Sequence, residues 1–375
     1  MKFHKIALTA AAAACLALAG CGDDSSKSDS KNAQAGAASH EPVKVAWVYP
    51  SPRADEGWSK QHEEARELIE KKYGDKIKTQ VVDNVTNTVD AERVIRDLAS
   101  QGNKLIFATS FTYMNPGLKV AREFPDVKFE NCTGYKTAAN FSPYNARFYQ
   151  ARYLAGKLAA SMSKSAHLGY VAAMPIPEVL QGINAYTLGA QSVNPDVKVS
   201  VVWTNTWYDP GKEVDATNTL IGQGCDILTH HTDSTAVPAT AESRGVKVIS
   251  YHSPMTKTAP KQLIGAVTHH WDEYYAKRID ELMSGKWKVE PVWGGAEMHM
   301  VRLSAITSEA PKAVVDDINA VYAKMEKGEF NVFTGPIVDN EGKVQIAVGK
   351  AADDKMLNTM NYFVKGVIGK VPTGK

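Results

Sequence analysis

The sequence predicts an α/β protein built from two doubly wound lobes, with a hinge and an interlobe cleft where a ligand would sit. Three observations predict it. The folded portion, residues 42–375, is too long for one ordinary core and comfortable for two. Short β-rich runs alternate with helix-period segments along its length, the pattern of parallel sheets covered on both faces. The alternation then restarts after a long helix near residue 149, so two similar units follow one another.

The first series opens with Val43–Tyr49, a β-rich run, and continues with helical spacing over Trp58–Lys72. Lys78–Asp83 reads as extended, Asp90–Gln101 as helical and Lys104–Thr109 as a buried strand. Lys119–Phe124 then reads as helical and Val127–Asn131 as extended. The second series follows the helix at Tyr149–Ala160. Its strands are predicted at His167–Ala172, Val197–Thr204, Cys225–His230 and Val246–Tyr251, with helices at Pro177–Val193, Lys212–Gly222 and Thr235–Arg244 between them. The strand Leu263–Val267 and the helix Asp272–Met283 read as a return to the first unit. The expected lobes are therefore residues 42–148 with 264–288, and 149–263 with 289–375.

The N-terminus has its own logic. Lys2 and Lys5 precede an apolar run, Ile6–Ala19, that ends in Leu18-Ala19-Gly20-Cys21. The run falls short of the roughly 20 apolar residues that span a bilayer, so residues 1–21 read as a secretory signal. The closing tetrapeptide matches the bacterial lipobox, which makes Cys21 the expected lipidation site. Residues 22–41 contain no large apolar side chain and read as a flexible tether, so the protein is expected to be lipid-anchored on the extracytoplasmic side of a membrane. The whole chain carries 43 Lys and Arg against 41 Asp and Glu, and two of the Lys lie in the signal. The mature charge balances, which argues against a nucleic-acid partner. Cys132 and Cys225, the two cysteines outside the leader, are expected as isolated buried thiols. His230-His231 and His269-His270 are adjacent pairs on strands whose side chains face opposite ways, so no metal site and no cofactor is expected.

Enzyme signals are sparse: no nucleophile elbow, phosphate loop, zinc-protease helix or dinucleotide fingerprint is present. Aromatic and polar residues cluster instead at strand ends, where α/β sheets bind ligands. Asp55-Glu56-Gly57-Trp58-Ser59 follows the first strand, and Ser110-Phe111-Thr112-Tyr113 follows a later one. In the second unit Asn205-Thr206-Trp207-Tyr208-Asp209 and His230–Ser234 follow two successive strands. Trp58 and Trp207 would then clamp a flat ring from opposite lobes. Asn131, Thr133, Asn145 and Asp233 are the expected hydrogen-bonding partners, beside Ser59, Phe111, Tyr113 and His252.

The same segments resemble the basic membrane lipoprotein (BMP) family of ABC-importer binding proteins, purine-nucleoside receptors of the type I periplasmic-binding fold. The resemblance runs from Val43 onward and is strongest at Tyr153–Ala160, Gly189-Ala190, Asn194-Pro195 and Asn205–Asp209, with lesser matches at Gly224–Ile227 and Phe333–Ile337. It implies a monomeric, non-enzymatic receptor that serves an ABC permease and its ATPase, with a purine held between aromatics at the positions of Trp58 and Trp207. This sequence departs from the family at four places. The family's Asn after the first aromatic is Ser59, an Asp before Gly is Thr133, the ribose-binding Asp is His252, and a Lys falls at about His269. Loss of both sugar contacts points to a free nucleobase (adenine, hypoxanthine or guanine) rather than a nucleoside. The alternatives are a nucleoside receptor, a ligand-sensing lipoprotein, or a nucleoside-processing enzyme using Asp55, Asp233 or His252.

Overall fold

The computed structural model describes residues 41–372, so the leader, Cys21 and nearly all of the tether lie outside the described residues. The chain begins β1 (Val43–Val48), α1 (Trp58–Tyr73), β2 (Ile77–Val82), α2 (Thr88–Ser100), β3 (Leu105–Ala108), α3 (Met114–Glu123), β4 (Lys128–Cys132), β5 (Phe141–Ala146). It continues α4 (Phe148–Met162), β6 (His167–Ala172), α5 (Pro177–Gln191), β7 (Lys198–Trp203), α6 (Pro210–Gly222), β8 (Ile227–His230), α7 (Ala236–Arg244), β9 (Lys247–His252), β10 (Leu263–His269). The last part holds α8 (Asp272–Met283), β11 (Val292–Gly294), β12 (Val301–Ser304), α9 (Lys312–Glu326), β13 (Ile337–Val338), β14 (Val344–Ile346), α10 (Asp354–Asn358) and β15 (Val367–Ile368).

Two mainly parallel sheets result, one per lobe, as expected for this fold class. The first has the order β11-β5-β4-β3-β1-β2, parallel throughout. The second runs β12-β10-β9-β8-β6-β7-β15, with only β12 antiparallel. Strands such as β3 are buried along their whole length, because helices cover both faces of each sheet. Strand order reverses between β1 and β3 in one sheet and between β6 and β8 in the other. Crevices open at these two points, outside the carboxyl ends of the strands.

The lobe boundaries differ from the expected ones. β10 pairs with β9 in the second sheet, Ala266 opposite Ser250, and not in the first. The chain crosses back one element later. α8 packs on α1, and β11 extends the first sheet beside β5 before the chain returns to β12. An apolar run like Leu263–His269 looks the same in either parallel sheet, so patterning cannot name its neighbour. α8 is held by Glu130 of β4, which lies 2.5 Å from Arg278 and accepts hydrogen bonds from Tyr274 (2.7 Å) and Trp287 (2.7 Å). β5 escaped prediction because Pro143 sits in it. That proline is tolerated where β5 is still an edge, since β11 pairs only with Tyr144–Ala146. α3 begins at Met114, five residues early, with Pro116 in its permissive first turn.

α4 and α5 touch along a glycine pair. A Cβ on Gly156 would lie 1.9 Å from the Tyr186 carbonyl oxygen, and one on Gly189 would lie 1.9 Å from that of Tyr153. These are the segments in which the family resemblance is strongest, so part of that signature records helix packing and not ligand chemistry. Cys132 and Cys225 are buried and unpaired. No helix among the described residues is long and apolar enough to cross a membrane.

Candidate ligand-binding cleft

The two crevices face each other across a small cavity. From the first lobe come Trp58, the first residue of α1, Ser110 and Phe111 after β3, and Thr133 after β4. From the second come Glu178 at the start of α5, Trp207 after β7, His231 and Asp233 after β8, and His252 at the end of β9. The free space between them is about 30 Å³, room for about two water molecules. A broader groove of about 640 Å³ adjoins it, sharing Phe111, Thr133 and Glu178 and adding Asn145, Arg147 and Trp293.

The cavity is small because the lobes are drawn together. Gly57 lies so near the second lobe that a Cβ there would sit 1.7 Å from the Asp233 carbonyl oxygen. Around it Tyr208 donates to Asp55 (2.9 Å), Thr258 donates to Glu56 (2.8 Å), and the Ser253 hydroxyl donates to the Glu56 carbonyl. Asp55, weighed in the sequence for an enzyme reading, and its neighbour Glu56 thus serve as interlobe acceptors. Trp58 is fixed in place. Its indole N–H donates to the Thr109 carbonyl at 2.6 Å, and His62, Phe148 and Trp271 meet its ring edge-on at 4.6, 5.9 and 6.0 Å. Trp207 is less enclosed, with its ring 6.2 Å from that of His231.

Six of the ten expected residues line the cavity: Trp58, Trp207, Phe111, Thr133, Asp233 and His252. The other four do not. Tyr113 is fully buried in the first lobe's apolar core, with its hydroxyl donating to the Val85 carbonyl. Ser59 is buried against Ser51, the two hydroxyl oxygens 2.7 Å apart. Asn131 lies behind the wall, donating at 2.9 Å to the carbonyls of Ala108 and Ser110 and so shaping the loop that presents Phe111. Asn145 lines the groove instead and donates to Glu178 at 2.8 Å. Glu178, His231, Ser110 and Pro50 line the cavity without having been singled out. Glu178 follows β6 just as Trp207 follows β7, so strand-end position was the signal that marked it. His231 was set aside as half of a strand pair.

The site is rich in buried titratable groups. His252 Nδ1 lies 3.0 Å from His269 Nε2, and the Trp271 indole donates to His269 Nδ1 at 2.6 Å. His252 Nε2 is 3.3 Å from Asp233 Oδ1 but off the line of a hydrogen bond, and has no hydrogen-bond partner. Burial, then the neighbouring His269, hold His252 well below the ordinary imidazole range. Burial, reinforced by the Glu213 carboxylate, pushes Asp233 well above the ordinary carboxylate range. Beneath them the Arg152 guanidinium stacks 3.7 Å from the Tyr251 ring centre and donates to the Thr229 hydroxyl and the His230 carbonyl. No cluster of three or more metal-binding side chains occurs among the described residues.

Comparison with known proteins places the chain in a family and supports its fold. The family model for PnrA-like ABC transporter substrate-binding proteins matches residues 42–337. A purine-binding protein of Brucella abortus is 48% identical over 90% of this chain and 97% of its own length. A Haloferax volcanii protein, provisionally named an ABC transporter glucose-binding protein, is 35% identical over 90% of this chain and 83% of its own. Among solved structures, a solute-binding protein of Aeropyrum pernix superposes with a TM-score of 0.65 at 18% identity, over 85% of this chain and 96% of that one.

His230 yields a test of the buried network. Its Nδ1 lies 3.0 Å from the Thr232 carbonyl and its Nε2 accepts from the Tyr251 N–H at 3.2 Å, so only the neutral ring fits. Burial and the nearby Arg152 charge lower its pKa to about 3, against about 6.5 in an unfolded chain. Between those values the unfolded chain binds the extra proton, so this contribution is whole above pH 6.5 and is lost as pH falls towards 3. Urea unfolding at pH 7 to 5 should show His230→Asn flattening the acid-side decline, by an amount rising towards about 1.4 kcal/mol per pH unit at the acid end. An unchanged slope would mean that His230 is not held neutral.

Proposed function

This chain belongs to the family of PnrA-like ABC transporter substrate-binding proteins, and we propose that its cleft takes a purine nucleobase between Trp58 and Trp207. Proteins of this family work outside the cytoplasm and hand their ligand to a permease driven by an ATPase. One observation carries the purine reading: two indoles from opposite lobes line one cavity together with polar groups, His252 and Asp233. The named ligand of the Brucella relative supports it. Stacking contributes about 1–3 kcal/mol per base face. Two faces supply a large part of the roughly 8 kcal/mol of a micromolar ligand, and edge hydrogen bonds supply the remainder. Because the closed cavity is smaller than a base, the lobes part to admit the ligand and close over it by hinge motion.

The nucleobase preference rests on His252. It stands where the family resemblance puts the carboxylate that holds the ribose hydroxyls, and an imidazole accepts only one proton where a diol offers two. A nucleoside reading has its own support in the 640 Å³ groove, which has room for a sugar beside Glu178. Calorimetry separates the two. Adenine or hypoxanthine should bind at least tenfold more tightly than adenosine or inosine, about 1.4 kcal/mol, with no free base released from the nucleosides. Trp58→Ala and Trp207→Ala should each weaken base binding by about 1–3 kcal/mol. Tighter nucleoside binding would move the sugar into the groove and overturn the nucleobase reading.

We propose further that a diacylglyceryl group on Cys21 anchors the protein, since the lipobox closes the leader and a tether-like segment follows. Two acyl chains suffice for stable membrane attachment. Cys21→Ser should move the protein from the membrane fraction into the soluble one; unchanged membrane retention would remove the anchor.

A further inference from the structure

The histidines behind the cavity form a directed chain. An indole N–H can only donate, so the Trp271 contact at 2.6 Å makes His269 Nδ1 an acceptor. A neutral His269 therefore carries its proton on Nε2, 3.0 Å from His252 Nδ1, and donates it there. His252 Nδ1 is then an acceptor in turn, and the His252 proton must sit on Nε2. That atom is fully buried and has no hydrogen-bond partner, on a ring that lines the cavity 3.3 Å from an Asp233 oxygen.

We propose that Trp271 and His269 fix His252 as its Nε2–H tautomer, so that the cavity offers one donor, His252, beside one acceptor, Asp233. Trp271 and His269 are positioning residues in this scheme, and His252 with Asp233 is the specificity-determining pair. The chain excludes the alternatives on steric grounds. A protonated His252 would set an N–H against the N–H of His269. The opposite tautomer would need His269 to carry its proton on Nδ1, against the indole N–H of Trp271. The histidine thus presents a donor only, and a buried donor without a partner costs about 1–3 kcal/mol until a ligand satisfies it.

The ligand edge that matches this pair has an acceptor next to a donor. Resting on the purine reading above, adenine can supply it in three ways. One is N3 beside N9–H, which exists in a free base and is lost in a nucleoside. The others are N7 and N1, each beside the 6-amino group, which adenine has and oxopurines lack. Each edge places its acceptor on His252 Nε2–H and its donor on an Asp233 oxygen.

The test starts with the ligand-free protein, so it does not depend on the purine reading. Long-range ¹⁵N–¹H correlation spectra of ¹⁵N-histidine-labelled protein should show His252 and His269 as fixed Nε2–H tautomers at neutral pH. Trp271→Phe keeps an aromatic ring but removes the donor, and should return both rings to exchange between tautomers. A wild-type His252 found as Nδ1–H, as imidazolium or in tautomer exchange would overturn the proposal. Ligand selectivity is the second readout. Relative to adenine, 9-methyladenine, 7-deazaadenine or 1-deazaadenine should bind at least tenfold more weakly, the one affected naming the edge used. Trp271→Phe should shrink that discrimination. Full affinity for all three analogues would overturn the pairing of edge and site, whereas failure of adenine itself to bind would remove the purine reading and leave the tautomer result standing.

Discussion

The arrangement of the cleft depends on the absence of one side chain. Gly57 brings the loop after β1 against the Asp233 carbonyl oxygen, at a distance where a Cβ would overlap it at 1.7 Å. Because Gly57 immediately precedes α1, the same approach carries Trp58 into the cavity opposite Trp207. The contacts on either side, Tyr208 to Asp55 and Thr258 to Glu56, are hydrogen bonds between loops and can be exchanged for water when the lobes part. At this loop, closure combines a close backbone fit with polar latches.

Behind this seam the second lobe is unusual in how many polar groups it buries. His230, His252 and His269 are all neutral and tied by directed hydrogen bonds, and Arg152 lies beneath them with backbone, hydroxyl and aromatic partners. Glu213 accepts from Thr232 and Ser234, both at 2.7 Å, and holds the loop that carries Asp233. Such networks rigidify a site when they are satisfied and are costly when they are not. Among the described residues, His252 Nε2 and His231 Nδ1 are buried, unpartnered nitrogens on cavity-lining rings, and a ligand edge at His252 would complete its end of the network.

Much of this was legible in the sequence. The two-lobe α/β architecture followed from alternating periods, and Trp58, Trp207, Phe111 and Asp233 followed from the rule that ligand chemistry gathers at strand ends. What the sequence did not disclose was three-dimensional pairing. β10 could have joined either sheet, and only its register with β9 decides. Tyr113 lies two residues from Phe111 yet turns into the core, because the short helical turn after β3 points successive side chains in different directions. His269, which the resemblance matched to a lost sugar contact, is the link between Trp271 and His252. Glu178, at the start of α5, lines the cavity without having been singled out.

The central claim, a flat base held between two indoles with its edge on His252 and Asp233, is tested most directly by a crystal structure of the protein with adenine. The account predicts ligand density stacked on Trp58 and Trp207, one ring nitrogen within hydrogen-bond distance of His252 Nε2, and Gly57 in contact with the Asp233 carbonyl. Density in the groove beside Arg147 and Trp293, with no ring stacked on Trp58 or Trp207, would contradict it.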